Sequence, residues 1–439
     1  MTDALQRFTN VRRDEIPGLI ASVAFFFCVL CALMVIRPAR ESLGMRSGLD
    51  TVRWLFVGTA IVTLAVNPVF GFLVARLRRI SFVAATYLFF AASLLVFWWL
   101  LSFAPERTGE ISGRVFYVWF SVFNLFSVMV FWAMVVDRYS LEQSKRLFGL
   151  VAVGGTLGAM FGPWLAWTYV EEIGTPNLIL IAVGFLVLAV AAAWGLTRTQ
   201  PESPSEIDPD DPEAPPVVDE DEVIGGSAWE GFRSVIRSPY LAGICVFVLV
   251  MAIMATFIYF TRLTMVAAMT DDVDQQTGLF ARIDFWTQFA TFLFQLLLTG
   301  HIMRRLGVGI ALALLPITVV LGFVGLAITG TFAALILLEA AYRAMQRGIT
   351  RPARETLFTV LNREDKYKAK AVTDTFVYRA GDVVGAWSEG LIARLGAGLV
   401  GLTAVVIPMA AAWAVLGFWL ARQQEVEARE QEREVAGVP

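Results

Sequence analysis

Arginines recur in this sequence at places where charge is costly. Arg37-Pro38-Ala39-Arg40-Glu41-Ser42-Leu43 returns, with one change, as Arg351-Pro352-Ala353-Arg354-Glu355-Thr356-Leu357, and each copy closes a strongly apolar stretch. Hydrocarbon solvates a guanidinium poorly, so an arginine kept there needs a partner or a ligand. Arg37 and Arg40 are three apart and share a helix face. Two guanidinium forks on one face suit the oxygens of a phosphate or a carboxylate. The second copy belongs to a longer series. Glu339, Arg343, Arg347, Arg351 and Glu355 are each four apart, a stripe that winds slowly round one helix, with Arg354 beside it. Substrate contact is the expected role of Arg37, Arg40, Arg343, Arg347, Arg351 and Arg354. Glu41, Glu339 and Glu355 would pair with arginines while the site is empty.

Plainer readings stand beside these. An ion-pair ladder, Glu339 with Arg343 and Arg351 with Glu355, accounts for part of the stripe but leaves Arg347 and Arg354 without local partners. Arg37 and Arg40 can instead snorkel to lipid headgroups. Pro38 and Pro352 lack a backbone N–H, so each either kinks its helix or begins a fresh segment. A fresh segment would aim free N–H groups at an anion. Asp137 with Arg138, and Arg379 with Asp382, are expected to form gates or ion pairs. Arg282 and Asp284 are expected in interhelical ion pairs, and Arg262 against an outer headgroup. Trp119, Trp132, Phe285 and Trp286 can stack a base or form an interfacial belt.

Other chemistry is excluded. The chain has one histidine, His301, which rules against a histidine metal cluster or a catalytic triad. Cys28, Cys31 and Cys245 lie inside apolar runs and are expected to pack there. No Gly-x-x-x-x-Gly-Lys-[Ser/Thr] segment occurs, so no P-loop powers the protein. No catalytic residue, metal or cofactor is expected, and the chain is not expected to be an enzyme.

The elements that must hold these residues are helices in a bilayer. The 439 residues are 57% hydrophobic, beyond the range of an ordinary soluble domain. Apolar runs such as Ile16–Ile36, Val115–Val136, Leu241–Thr261 and Leu399–Leu420 approach or reach the ~20 residues that cross hydrocarbon as a helix. The count is about twelve spans, and no short alternating segments suggest a β-barrel. The first run is long and follows charged residues, so it is expected to persist as a helix rather than a cleaved leader. Cationic residues gather in alternate connections: Arg76, Arg78 and Arg79; Arg138, Lys145 and Arg146; Arg233 and Arg237; Arg304 and Arg305; Arg363, Lys366, Lys368 and Lys370. The N-terminus and Arg422 fall on the same side. The positive-inside rule then puts both termini in the cytoplasm, for a bacterial inner membrane.

Between the sixth and seventh runs, Gln200–Glu222 is dense in Asp, Glu and Pro and is expected to be a solvated linker. The expected organisation is a six-helix half over 1–198, an acidic linker over 199–236, a second six-helix half over 237–421 and a tail over 422–439. The halves echo each other. Gly71-Phe72-Leu73-Val74-Ala75-Arg76-Leu77-Arg78-Arg79 follows the second run and Gly300-His301-Ile302-Met303-Arg304-Arg305-Leu306-Gly307 follows the eighth, 229 residues apart. Ser144-Lys145 and Ala369-Lys370 are 225 apart. Two such halves in one orientation form a parallel repeat.

These residues resemble the major facilitator superfamily, whose loop between spans two and three carries a G-x-L-x-D-R-x-x-R-R-like motif; Ala75 and Arg304 stand where its acid is expected. Gly149, Gly158, Gly162 and Pro163 look like the front half of that superfamily's antiporter motif, with Ala166 and Trp167 in place of its trailing glycines. Gly154, Gly158 and Gly162 also make a small-xxx-small packing face. A narrower likeness covers nearly the whole chain. Phe123-Asn124-Leu125-Phe126-Ser127, Ser144-Lys145-Arg146-Leu147-Phe148-Gly149, and Asp365-Lys366-Tyr367-Lys368-Ala369-Lys370 with Asp374 look like the ATP/ADP translocase family of plastids and intracellular bacteria. Arg40 and Arg354 stand at positions resembling two of that family's lysines, while its further intramembrane glutamates have no match. Asn124 is the polar residue of the fourth span.

The resemblance implies an all-α membrane protein of the major facilitator type whose halves rock to carry a solute across. It implies exchange or uptake of a nucleotide or another phosphorylated anion. The alternative is a proton-coupled carrier of another organic anion or amphipathic compound, with Glu339 titrating. The expected partners are a small anionic substrate such as ATP or ADP and the lipid bilayer, with no nucleic acid, for a monomer. The heptad copies lie 314 apart, which is not the repeat spacing. In this superfamily, spans one and ten are inverted counterparts, so the first copy is expected toward the periplasm and the second toward the cytoplasm.

Overall fold

The structure, a computed structural model, describes residues 11–74, 79–104, 106–199, 233, 235–297, 307–361 and 369–435. Arg7, Arg76, Arg78, the linker Gln200–Glu222, His301, Arg304, Arg305, Arg363, Lys366 and Lys368 lie outside the described residues, as does the side chain of Arg79. The described residues contain helices and no strand.

In chain order the helices are α1 (Ile16–Met45), α2 (Leu49–Val74), α3 (Arg79–Phe103), α4 (Glu106–Val136), α5 (Leu141–Ile173) and α6 (Thr175–Thr199). There follow α7 (Pro239–Ala267), α8 (Val273–Leu297) and α9 (Gly307–Thr329). The next, α10, runs Phe332–Met345, passes through a π-helical turn at Gln346–Thr350 and continues as Arg351–Leu357. Helix α11 opens with a π-helical stretch, Val372–Val377, and continues as Tyr378–Arg394; α12 is Gly398–Val435. Nine of the helices among the described residues are long and apolar enough to cross a membrane. Of the other three, α8 carries Asp274, Arg282 and Asp284, while α10 and α11 are each broken by a π segment and carry the charged stripe and Arg379, Asp382 and Glu389. Polarity and π turns, the latter frequent at functional sites, thus fall on the same helices.

Local signals set the ends. Ser140 caps α5 in a reciprocal capping box with Gln143. Gly174 ends it with φ of 82°, its N–H returning to the Val170 carbonyl.

Contacts divide the helices into two compact units. The first holds α1–α6 together with Val266–Phe285, the end of α7 and the first half of α8. Its core is aromatic: Phe26 stacks on Phe131 with ring centroids 4.1 Å apart, and Phe25 meets both Phe131 and Tyr87 edge-on. Lipid is as apolar as these side chains, so close backbone approach holds helices together more than burial does. Helix α5 presents that contact to α1. A Cβ on Gly154 would lie 2.5 Å from the Val23 carbonyl oxygen, and one on Gly162 would lie 2.8 Å from the Val35 nitrogen. One on Gly158 would collide with the Phe27 carbonyl oxygen. The glycine series of the fifth run is therefore required by packing.

The second unit holds α7 up to Met265, α8 from Trp286, and α9–α12. Here α11 repeats the device against α7. A Cβ on Gly381 would sit 2.9 Å from the Leu249 carbonyl oxygen, and one on Gly385 would sit 2.9 Å from Thr256 Cβ. The fifth helix packs by glycine on the first in one unit, and the eleventh on the seventh in the other, six helices further on in each case.

Candidate functional site

In the first unit the heptad occupies the last part of α1, an uninterrupted helix with Pro38 inside it. Pro38 therefore does not begin a fresh segment. Arg37 and Arg40 reach different neighbours. Arg37 Nη1 lies 3.7 Å from Asp284 Oδ1 on α8, whose side chain is fully buried. Arg40 lies flat on an aromatic wall, its Cζ 3.8 Å from the centre of the Tyr117 ring and 5.5 Å from that of Phe120. Its Nε donates to the Tyr117 carbonyl (3.3 Å) and its Nη1 to Glu41 Oε1 (3.2 Å). The guanidinium thus has a π face, a carbonyl and a carboxylate to stand in for water.

A hydroxyl chain beside it ties the α8 segment to α1 and α6. Thr277 Oγ1 lies 2.5 Å from Ser42 Oγ and accepts a hydrogen bond from Thr175 Oγ1 at 2.9 Å. Asp274 Oδ1 accepts the Thr175 backbone N–H (2.7 Å), capping α6 from another helix. Arg282 stands 5.6 Å from the Trp167 ring centre.

The opposite end of this unit has its own charge lock, at the starts of α1 and α5. Glu15, 1% exposed, accepts from Arg146 Nη2 at 2.7 Å, from Gln143 Nε2 at 3.2 Å and from its own loop at the Arg12 N–H (2.9 Å). Burial alone would raise its carboxyl, but these donors, Arg146 foremost, hold it below the ordinary value. Tyr139 and Ser22 join hydroxyls nearby at 2.9 Å. Asp137 and Arg138 close α4 here, the first half-buried and the second buried.

In the second unit the stripe on α10 divides into three sections. In the first, Glu339 takes two arginines: Arg262 Nη1 at 3.1 Å and the Arg343 guanidinium one turn on. Arg262 is fully buried, because α7 runs past it to Ala267; it does not meet an outer headgroup. In the middle, Arg347 is exposed and its Nη1 donates to Gln288 Oε1 of α8 at 3.3 Å, while Arg351 is also exposed. At the end, buried Arg354 bridges Glu355 Oε1 (3.0 Å) and Asp374 Oδ1 on α11 (3.1 Å). Lys370 Nζ closes on Glu355 Oε2 at 2.5 Å. Glu355 is therefore taken by Arg354 and Lys370, and the expected Arg351–Glu355 rung does not form. Arg379 and Asp382 pair within α11 at 3.2 Å.

The π turn explains the layout. Four residues of an α-helix overshoot a full turn by about 40°, and the wider π turn at Gln346–Thr350 takes part of that drift back. Pro352 sits in the first two positions of the segment that follows. The N–H groups there are not free for an anion, since the ladder continues and the Arg351 N–H bonds the Gln346 carbonyl. The last carbonyls of α10 are met by Tyr240 Oη on Leu357 (2.8 Å) and Gln424 Nε2 on Thr356 (2.7 Å).

Several contributors carry no pattern in the sequence. Gln288 and Tyr117 are ordinary residues in apolar runs, and Glu15 is one of several flanking charges. For Arg262 the signal was its place at the end of an unbroken apolar run, which a helix extended by one turn would have buried.

Among the described residues no group of three His, Cys, Asp or Glu could hold a metal. Chemically, exposed guanidiniums such as those of Arg347 and Arg351 can take an oxyanion through paired hydrogen bonds.

Residues 18–345 match the family model of the Major Facilitator Superfamily. No curated protein sequence matches the chain. Among solved structures, a bacterial homolog of the human lysosomal transporter Spinster, inward-facing and unoccupied, is 14% identical with a TM-score of 0.57, over 95% of this chain and 99% of that one. The nucleoside transporter NupG is 11% identical with a TM-score of 0.55, over 94% and 100%. The POT family transporter PepTSo is 13% identical with a TM-score of 0.58, over 94% and 98%. At these identities the likeness is one of fold.

Proposed function

The chain belongs to the Major Facilitator Superfamily, and on that premise we propose that this secondary transporter moves a phosphorylated anion, in the first instance a nucleotide, by exchange. One observation carries the reading: α10 lines up Arg343, Arg347, Arg351 and Arg354 within twelve residues, and the two in the middle, Arg347 and Arg351, are exposed. Two exposed guanidiniums one turn apart suit a ligand that brings several negative charges.

Arg343, Arg347 and Arg351 hold the phosphates in this reading. Arg37 and Arg40 at one end, and Arg354 at the other, hand the anion on, their acids Glu41, Asp284, Glu355 and Asp374 taking them back as it leaves. Glu339 fixes Arg343 in the stripe. Arg379 with Asp382, and Asp137 with Arg138, stiffen the helix ends that must move. Arg37 and Arg40 lie at the end of the first unit away from the start of α1; Arg354 lies near the start of α7. In this reading the two clusters serve opposite access states, as the inverted relation of spans one and ten implies. With the positive-inside assignment, both termini are cytoplasmic in a bacterial inner membrane, and Arg354 is the cytoplasmic cluster.

Purified protein in liposomes loaded with ADP should take up labelled ATP and lose that uptake in Arg347→Ala and Arg351→Ala. Uptake no greater than in empty liposomes across nucleotides, sugar phosphates and inorganic phosphate would overturn the proposal.

A further inference from the structure

A second site lies away from the stripe, in the wall of the first unit. Helices α2, α3 and α4 frame an open groove of about 840 Å³. Its lining is aliphatic and aromatic, with Leu55, Val62, Phe89, Trp119 and Phe126 among its walls and Arg114 as its charged residue. Walls without polar partners do not hold ordered water. Its size falls within the ~300–1,000 Å³ of ligand pockets. What fills it has to be apolar over most of its length.

Arg114 says what stands at the end. Its Nε donates to Ser47 Oγ (2.9 Å) and its Nη2 to Glu110 Oε1 (3.0 Å). Nη1 makes no hydrogen bond among the described residues, and the side chain is 40% exposed. The guanidinium is thus held in place by two contacts and keeps one donor edge for an oxyanion. Depth agrees. From Arg114 to Phe126 along α4 is twelve residues, about 18 Å of helix, a little more than one leaflet's half of the ~30 Å hydrocarbon core. We propose that this groove binds one acyl chain bearing an anionic head, with the chain between α2, α3 and α4 and the head on Arg114. The site does not depend on the transported substrate.

Trp119 is a built-in reporter, because bromine on a chain quenches tryptophan within contact range. The experiment reconstitutes the full chain in phosphatidylcholine vesicles and takes the Trp119 signal as the difference between the parent and Trp119→Phe. Dibrominated phosphatidylglycerol, dibrominated phosphatidylcholine and dibromostearate are compared at a low mole fraction. The anionic probes should quench Trp119 several-fold more than the choline lipid. Greater quenching by dibromostearate identifies a free acid as the occupant, and greater quenching by the glycerol lipid identifies a membrane phospholipid. Arg114→Gln should bring the anionic probes down to the choline lipid, while Arg114→Lys should keep part of the preference. Gly58→Leu should abolish quenching by all three: a Cβ there meets only Val118 Cγ2, at 3.6 Å, so the side chain can enter the groove without displacing backbone. Equal quenching by all three probes in the parent, or quenching undiminished in a Gly58→Leu protein that melts like the parent, would overturn the proposal.

Discussion

The carboxylate of Glu339 is the counter-charge for two arginines at once, and its removal should be the most damaging single change in the second unit. Arg262 has no exposed side-chain surface, Glu339 has 5% and Arg343 has 13%. Taking one partner from a buried pair costs about 3–5 kcal/mol, because the charge left behind has lost its water and gained nothing. Glu339→Gln takes the carboxylate from two largely buried guanidiniums at once, so its cost should fall within that range. Arg262→Met is milder: it removes a buried guanidinium and leaves Glu339 with Arg343, a loss nearer the ~1.5–3 kcal/mol of a hydrogen bond to a charged group. In the double variant the two losses share a cause and should sum to less than their total. The measurement is unfolding of the purified protein in mixed micelles by titration with a denaturing detergent, followed by far-UV circular dichroism. At ~1.4 kcal/mol per factor of ten, Glu339→Gln should raise the unfolding equilibrium constant by at least a factor of about a hundred. An Arg262→Met protein less stable than Glu339→Gln, or a Glu339→Gln protein that unfolds with the parent, would refute the ion-pair reasoning.

Arg347→Ala and Arg351→Ala should leave the melting temperature within the scatter of surface changes, roughly 0.5 kcal/mol, while abolishing exchange in liposomes; a melting shift as large as that of Glu339→Gln would mean that these arginines hold the fold instead. Gly158→Leu drives a side chain into the Phe27 carbonyl and should cost at least the ~1–3 kcal/mol of overpacking, whereas Gly149→Leu, with nothing within 4 Å of its Cβ, should not register in the same melt. Acid should loosen the first unit through Glu15. Its carboxyl titrates below the ordinary value of 4.5 when folded, so its contribution is complete above that value and is lost as pH falls through the lowered one. The acid limb of a melting-temperature profile should therefore be shallower in Glu15→Gln than in the parent.

What could be read beforehand divides along physical lines. Apolar runs report hydrocarbon directly, so helices and the membrane class were legible from composition, and small residues at four-residue spacing announced a packing face on α5, though not that α1 fills it. The stripe on α10 was legible because helical period is a local property. Its partners were not. Whether Glu355 takes Arg351 or Arg354 with Lys370 depends on a π turn, and no residue type marks one: Gln346-Arg347-Gly348-Ile349-Thr350 reads as ordinary helix. Arg262 shows the same limit at a helix end, where hydropathy stops a turn short of the backbone. The pairing of Arg37 with Asp284 joins positions 247 residues apart in sequence, and only packing brings them together.

The π turn has one more consequence, for how α10 tolerates changes in length. A regular helix locks the angular phase of all its residues together, about 100° for each one added or lost. The turn at Gln346–Thr350 makes α10 two rods with separately chosen phases: Glu339 and Arg343 are aimed at α7, and Arg354 at α11. Deleting a single residue inside the turn would let the helix close into one continuous α rod. The wide turn holds about one residue more than an α turn, so everything beyond would keep nearly its present phase. Arg354 would still face Asp374, and the Leu357 carbonyl would still face Tyr240. The same deletion in the matching heptad of α1, an uninterrupted helix, would turn everything beyond it by about 100°.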